Sequence, residues 1–182
     1  MFQLDPKSNP NVVSILSISD THSKHSQIPK LPDADILVHG GDFTNTGSLR
    51  DVRSYNSWIG DLVETQKKFK FAILIAGNHD ITLEEDYYAE VGFKRFHHGK
   101  KQDHKECVNV VRNGHSVYLE DERVELLGVS FYGSPYQPEF CQWAFNLQRG
   151  APLKKEWAKI PDQGIDVLIT HGPPKVVSST TI

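Results

Sequence analysis

The segment DILVHGGD, residues 35–42, decides the fold of this 182-residue chain. Its apolar part, Ile36–His39, ends at two glycines and an aspartate, and such a short apolar run is typical of a buried parallel strand. An amphipathic helical pattern follows over residues 49–67, and Ser48 begins it with an S-x-x-D capping box. A further apolar run comes next, at residues 71–76. A strand, a helix and a strand in succession predict a βαβ unit with a parallel sheet.

Four apolar runs along the chain are each followed by a short polar cluster. The runs cover residues 12–19, 36–39, 71–76 and 166–169, and the clusters are Asp20-Thr21-His22, Gly41-Asp42, Gly77-Asn78-His79-Asp80 and Thr170-His171-Gly172. Ligands of open α/β sheets bind at the carboxyl ends of the strands, so we expect the four clusters to meet at one rim. Their carboxylate, imidazole and amide groups suit divalent ions such as Mn, Fe, Co, Ni or Zn. The clusters therefore predict a metal site.

The same residue types offer what a dinuclear site needs. Asp20 and His22 are separated by one residue and can reach one ion, while the two oxygens of Asp42 can bridge two ions. Asn78 adds a carbonyl oxygen and His171 an imidazole. Two ions about 3.5–4 Å apart can clamp a phosphoryl group and activate a water near neutral pH. This arrangement indicates phosphoryl transfer.

His79 and Asp80 indicate how such a site would assist catalysis. We expect Asp80 to orient and charge the His79 imidazole, which could then protonate the leaving oxygen or stabilise developing negative charge. Each cluster is a weak signal by itself. A lone strand-end Asp is as often a turn residue, and a lone histidine such as His171 is more often a loop residue than a ligand. Their joint occurrence at four strand ends favours the metal site.

The chain at this point resembles the calcineurin-like metallophosphoesterases, and more narrowly their small metallophosphoesterase-domain-containing subfamily. The resemblance rests on DILVHGGDFT (35–44), IAGNHD (75–80), GSPY (133–136), FNLQRG (145–150) and ITHGPP (169–174). By position it implies that a first ion takes Asp20, His22 and Asp42, that a second takes Asp42, Asn78 and His171, and that His79 is the catalytic imidazole. It also implies two divalent ions and hydrolysis of phosphomonoesters or phosphodiesters, with cyclic nucleotides among the substrates.

One motif of that family, GHxH, has no counterpart here, because the residues after His171 contain no His, Asp, Glu or Cys. Five ligand positions are thus present and two are missing. We therefore expect one calcineurin-like phosphoesterase domain over residues 1–182 that lacks its C-terminal part, as a truncated, alternatively spliced or mispredicted form. The alternatives are a catalytically impaired protein that binds one metal or a nucleotide, and an α/β domain without metal.

The remaining elements favour a layered α/β/β/α sandwich over a single open sheet, with the second sheet incomplete. The pattern predicts helices at 83–91, 103–112 and 153–159, a basic loop at 93–101, and a hairpin of strands 116–119 and 124–132. His39 is either a neighbour of the metal ligands or a core histidine. Phe140, Trp143 and Phe145 are expected to be core or sheet cover rather than a base-stacking platform. Ser134 lacks the G-x-S-x-G of a serine hydrolase.

Composition narrows the class of protein and its surroundings. The formal net charge of −3 gives no basic surface for nucleic acid, and no apolar stretch approaches the roughly 20 residues that span a bilayer. Cys107 and Cys141 are too few for a disulfide framework, which favours a reducing compartment. We expect a cytoplasmic protein that acts on a small phosphate ester or nucleotide and engages neither nucleic acid nor membrane.

Overall fold

The first sheet is parallel and follows the predicted apolar runs. The computed structural model of the chain describes residues 12–173. The sheet consists of β1 (Ile15–Ile18), β2 (Ile36–His39), β3 (Phe71–Leu74) and β4 (Val117–Tyr118), in that spatial order. β2 has the predicted bounds, while β1 and β3 are each shorter than the apolar run that predicts them. The predicted βαβ unit is confirmed.

Helix α1 (Leu49–Gly60) makes the crossover between β2 and β3. The Ser48 side chain accepts a hydrogen bond from the backbone N–H of Asp51, so the predicted capping box is present. A π-helical turn, Asp61–Thr65, extends the helix to within two residues of its predicted end. The buried side chains of α1 recur at helical spacing and pack on the first sheet.

The segment after β3 is more helical than predicted. It contains a 3-10 turn (Ile81–Leu83), α2 (Glu85–Tyr87), a π-helical turn (Tyr88–Gly92), α3 (Phe93–Phe96) and α4 (His104–Arg112). The basic loop predicted at 93–101 is therefore wrong in its first four residues, which form α3. Helix α4 agrees with its prediction, and the Asp103 side chain caps it by accepting from the N–H of Glu106.

The second sheet is formed by β5 (Glu122–Leu126), β6 (Val129–Ser134) and β9 (Val167–Thr170). The predicted hairpin of residues 116–119 and 124–132 is wrong. β4 joins the first sheet by pairing with β3, and the antiparallel hairpin is β5–β6, joined at Leu127 and Gly128. These two residues have positive φ, 54° and 77°, as a two-residue hairpin turn requires.

Alternating side chains place one core on each face of the first sheet. Leu37, Ala72 and Leu74 face α1 and α4, whereas Ile36 and Ile73 face the second sheet. From the second sheet, Phe131 and Ile169 meet them, which closes the layer between the sheets. The helix-covered sheet packed on a second sheet confirms the predicted α/β fold class of the calcineurin-like phosphoesterase type.

Helix α5 (Ala151–Trp157) lies next to the second sheet, and the hydroxyl of Tyr132 on β6 donates to the carbonyl of Lys159 just beyond the helix, 3.3 Å away. A two-residue parallel pair, β7 (Gln137–Pro138) and β8 (Asn146–Leu147), brackets the aromatic loop between them. No helix within residues 12–173 has both the length and the apolar character to cross a bilayer. Residues 174–182 lie outside the described residues, so the structure does not test the prediction that the domain lacks its C-terminal part.

Candidate metal centre

The loops after β1 and β2 run side by side and carry three of the predicted ligands. The N–H of Asp20 donates to the carbonyl of Gly41, and the N–H of His22 donates to the carbonyl of Asp42, each over 3.0 Å. Asp20, His22 and Asp42 all have positive φ, at 54°, 42° and 55°. Non-glycine residues in this conformation cost free energy and cluster at functional sites. Backbone strain in these two loops thus coincides with the three predicted ligands.

Asp42 lies at the centre of the predicted site and is only 3% exposed. Two groups of three ligand atoms, each lying within 4.8 Å of one another, include it: His22, Asp42 and His79 in one, Asp20, Asp42 and His171 in the other. The Nε2 atoms of His22 and His171 are 3.9 Å and 3.4 Å from Asp42 Oδ2. The carboxylate common to both groups is thus the one predicted to bridge, although the groups are divided differently from the predicted ligand sets.

Two of the histidines are held by their Nδ1 atoms. His171 Nδ1 lies 2.8 Å from the carbonyl oxygen of Gly40, and His79 Nδ1 lies 2.7 Å from that of Asn45. A carbonyl can only accept, so each Nδ1 carries a proton and donates it. In the neutral ring, Nε2 is then the atom with a free lone pair. Both imidazoles are fixed in the form that suits a metal ligand or an acid–base group acting through Nε2.

Asn78 brings its side-chain oxygen next to His171. Asn78 Oδ1 is 3.2 Å from His171 Nε2, and it accepts a hydrogen bond from Gln137 Nε2 over 2.8 Å. Oδ1 and a neutral Nε2 are both acceptors, so this short separation needs a cation between or beside them, either a proton or a metal ion. Gln137 is a site residue that the sequence reading missed, because it follows no apolar run and lies in no motif of metal-ligand spacing.

Asp80 has a different position from the one predicted. Its carboxylate accepts from the backbone N–H groups of Asp42, Gly77 and Thr44, at 2.9, 2.8 and 2.9 Å, and from the Thr44 hydroxyl at 2.8 Å. These four donors use its acceptor sites, and the proton of His79 Nδ1 goes to Asn45 instead. The contacts therefore do not support orientation of the imidazole by Asp80. The carboxylate joins the loops after β2 and β3.

Two glycines allow these loops to approach each other. A Cβ on Gly41, whose φ is +96°, would lie 2.7 Å from both Gly77 N and His171 Nδ1. A Cβ on Gly77 would meet Asp42 and would lie 2.7 Å from His171 Cε1. Both distances are shorter than a real Cβ contact, so a larger residue would push the ligand side chains apart. The close approach of the two loops therefore requires glycine at both positions.

Charge at the site is balanced by histidine. Burial raises the pKa of Asp42, but the nearby His171 outweighs it and lowers the pKa overall. Burial likewise lowers the pKa of His171, and the Asp42 carboxylate outweighs it and raises that pKa overall. Burial and then the charge of Asp42 raise the pKa of Asp80. Two buried carboxylates side by side favour a positive ligand.

His39 meets both of its predicted alternatives. Its ring is fully buried against Phe43 and Tyr55, and burial lowers its pKa to about 3, so it is neutral. Its Nε2 also contacts the hydroxyl of Thr21 at 3.0 Å, between the two predicted ligands of the first loop. His39 thus supports the turn that carries Asp20 and His22 from inside the core.

The three aromatic residues expected to act as core or sheet cover lie in different surroundings. Phe145 is fully buried as expected, whereas Phe140 is 69% exposed, so the expectation is wrong for that residue. Trp143 is half-buried, and its ring stacks on that of His79, with the centroids 3.9 Å apart. The sequence reading missed this contact, because the two residues are distant in sequence and no spacing relates them.

Comparison with known proteins agrees with this geometry. The family model for calcineurin-like phosphoesterases matches residues 13–181. The human and mouse proteins named metallophosphoesterase domain-containing protein 1 are each 36% identical over 176 residues, which covers 93% of this chain and 51% of each relative. A UPF0046 protein of Caenorhabditis elegans is 34% identical over 184 residues, which covers 94% of this chain and 44% of that protein. The chain thus spans about half the length of these curated relatives. It belongs to the calcineurin-like phosphoesterase family, as its strand-end clusters predict.

Proposed function

We propose that the chain is a metal-dependent hydrolase of phosphate monoesters or diesters that uses a dinuclear site, with cyclic nucleotides among its candidate substrates. The family to which it belongs implies metal-dependent phosphoester hydrolysis. Two ions, held by the residues at the strand ends, would act on these substrates.

The residues present fit a pair of divalent ions. Asp20, His22, Asp42, Asn78 and His171 supply the carboxylate, imidazole and amide oxygen donors that such ions take. The acceptors of Asn78 and His171 already face each other at 3.2 Å, which a shared cation would satisfy. When bound, the ions would supply Lewis acidity toward the phosphoryl oxygens and lower the pKa of a water.

The residues around the site would each have a distinct role in hydrolysis. Asp42, the buried carboxylate that belongs to both groups of ligand atoms, would help hold the ions and would neutralise part of their charge. The carbonyl of Gly40 keeps the lone pair of His171 Nε2 directed at the site. His79 lies at the edge of the site, with its ring centroid 4.5 Å from that of His22. Its Nε2 is the atom that would pass a proton to the leaving oxygen.

The observation that carries this proposal is the position of Asp42 in both groups of ligand atoms. A buried carboxylate shared by two sets of histidines and carboxylates has an evident use if two cations are bound on either side of it. In the free chain His171 compensates the charge of Asp42, and bound cations would take over that role.

Metal stoichiometry and hydrolysis together test the proposal. The purified chain is loaded with Mn²⁺, Zn²⁺ or Fe²⁺, and bound metal is counted while hydrolysis of bis(p-nitrophenyl) phosphate and of 2′,3′-cyclic AMP is followed. We expect two ions per chain and turnover that a chelator abolishes. His79→Asn should keep its metal content and lose hydrolysis of 2′,3′-cyclic AMP, but retain more of its activity on bis(p-nitrophenyl) phosphate, whose leaving group needs no proton.

A matched control is His115→Asn, since His115 precedes β4 at the opposite end of the first sheet and pairs with Glu64. This variant should keep full activity. One ion per chain without turnover would overturn the proposal in favour of a binding protein, and no bound metal would leave an α/β domain without metal chemistry.

A further inference from the structure

The indole of Trp143 lies between two rings. Its centroid is 3.9 Å from that of His79 at an interplanar angle of 26°, and 4.2 Å from that of Phe96 at 33°. Two rings that close and that nearly parallel cannot share one face of the indole without overlapping each other. His79 and Phe96 therefore cover opposite faces, which leaves neither face open to a substrate base.

The loop that carries Trp143 is held in a strained conformation. Cys141, Gln142 and Phe145 have positive φ, at 56°, 52° and 55°. Such residues persist only where surrounding contacts enforce them. Here the helical segment after β3 supplies those contacts.

The contacts converge on two loop carbonyls. Arg95 Nη1 donates to the carbonyl oxygens of Cys141 and Gln142, over 3.1 and 2.8 Å, and the Tyr87 hydroxyl donates to that of Gln142 over 2.9 Å. The Arg95 guanidinium also lies over the rings of Phe96 and Trp143, at 5.0 and 5.8 Å from their centroids. One arginine therefore anchors the loop backbone and borders the stack.

We infer that Trp143 is a positioning residue for the His79 imidazole, and this inference rests on the proposed function. The Asn45 carbonyl holds one atom of the imidazole, Nδ1, which leaves the ring free to tilt about that contact. The flat indole removes this freedom by fixing the plane of the ring. Together the two contacts direct Nε2 of His79 toward the site, and small displacements of a catalytic group are costly for the rate.

A kinetic test separates positioning from substrate stacking. In Trp143→Leu we expect kcat to fall about 10- to 100-fold with little change in KM. If His79 protonates the leaving oxygen, the fall is larger for phenyl phosphodiesters than for p-nitrophenyl ones, whose leaving group needs no proton. Trp143→Phe keeps a flat ring and should recover most of the rate. Arg95→Met changes an exposed side chain and should show the same leaving-group dependence on a smaller scale.

Trp157→Phe is the matched control, because this tryptophan is exposed on α5 and donates to the Tyr136 carbonyl. It should leave kcat and the leaving-group dependence unchanged. A rise in KM confined to nucleotide substrates in Trp143→Leu would overturn positioning in favour of base stacking. An equal loss for all leaving groups, with reduced metal content, would overturn it in favour of a purely structural role.

An NMR measurement tests the contact without relying on turnover. The imidazole C–H resonances of His79, assigned by their loss in His79→Gln, should lie upfield because of the indole ring current, and should return to ordinary positions in Trp143→Leu. Unshifted resonances in the wild-type chain would overturn the inference.

The two proposals can fail separately. If the shift is present but the wild-type chain hydrolyses no phosphoester, the proposed function is wrong although Trp143 does stack on His79. If the chain is active and kcat is unchanged in Trp143→Leu, only the inference fails.

Discussion

The carboxylates at the two ends of the first sheet have different partners. At the amino ends of the strands, Asp35 accepts from the N–H and hydroxyl of Ser14, at 2.9 and 2.7 Å, and pairs with Lys70 at 2.8 Å. At the carboxyl ends, Asp42 and Asp80 are buried, and their contacts are histidines, backbone amides and a hydroxyl.

The two ends differ in how the charge of their carboxylates is neutralised. The charge of Asp35 is neutralised within the chain, and Lys70 followed by the Ser14 hydrogen bonds lowers its pKa to about 2. At the other end, burial and the charge of Asp42 raise the pKa of Asp80, so negative charge there is costly in the free chain. One end is a structural joint that is neutralised within the chain, and the other carries the candidate metal ligands.

Asp42→Asn should have the largest effect, because it removes the carboxylate common to both groups of ligand atoms. We expect hydrolysis to fall by at least about 10²-fold. The rise in melting temperature that metal gives the wild-type chain should also disappear, since a ligand stabilises only the state that binds it. Calorimetry with and without Mn²⁺ measures this. If metal raised the melting temperature of the variant as much as that of the wild-type chain, Asp42 would not be a metal ligand.

Asp80→Asn tests whether this carboxylate is a structural joint between loops. The amide keeps one acceptor oxygen and points a donor at groups that are themselves donors, so two of the four hydrogen bonds are lost. We expect the free energy of unfolding to fall by about 2–4 kcal/mol. Urea unfolding without metal measures it. Thr44→Val removes the hydroxyl that donates to Asp80 and accepts from the Gly47 N–H, and it should cost about 2 kcal/mol. A larger loss in this variant than in Asp80→Asn would contradict the assignment.

Asp35→Asn probes the opposite end and its pH dependence. A lowered carboxyl pKa in the folded state stabilises the fold fully above the ordinary value of about 4, and the contribution is lost as pH falls toward about 2. At pH 7 we expect the variant to be about 1 kcal/mol less stable, since the Lys70 partner is solvent-screened. The difference between the two proteins should shrink as pH falls from about 4 through about 2. A constant difference from pH 7 to pH 2 would show that the charge of Asp35 is not responsible.

Glu64→Gln should have the smallest effect. The pair of Glu64 with His115 lies 2.7 Å apart at the surface, and both side chains are about a third or more exposed. Ion pairs in that setting contribute little, so the free energy of unfolding should change by less than about 0.5 kcal/mol. Activity should also stay unchanged. A loss of unfolding free energy as large as that in Asp35→Asn would contradict the view that the exposed pair contributes little.

Local patterns predict those parts of the molecule that a single segment decides. The apolar run of β2 and the capping box at Ser48 need only their own residues, and both agree with the structure. The partner of β4 depends on distant packing, so the local pattern of residues 116–119 predicts a hairpin with 124–132 where the strand in fact pairs with β3. The glycine at position 128 is the local signal for the true hairpin turn.

The candidate site divides in the same way. Strand-end polar clusters bring Asp20, His22, Asp42 and His171 together because parallel strands end at one edge. The contacts that support these ligands cannot be predicted from the sequence, because each joins residues from separate loops. Asp80 on backbone amides and Trp143 on His79 are examples, and no spacing in the sequence relates these partners.

The hydrogen bond from His171 to the Gly40 carbonyl closes 131 residues of chain and joins the second sheet to the first. The contact joins residues far apart in sequence, so it depends on the packing of the second sheet against the first. The complete site can exist only after the two sheets have packed. An ion held jointly by Asp42 and His171 would therefore link the two sheets and stabilise their packing.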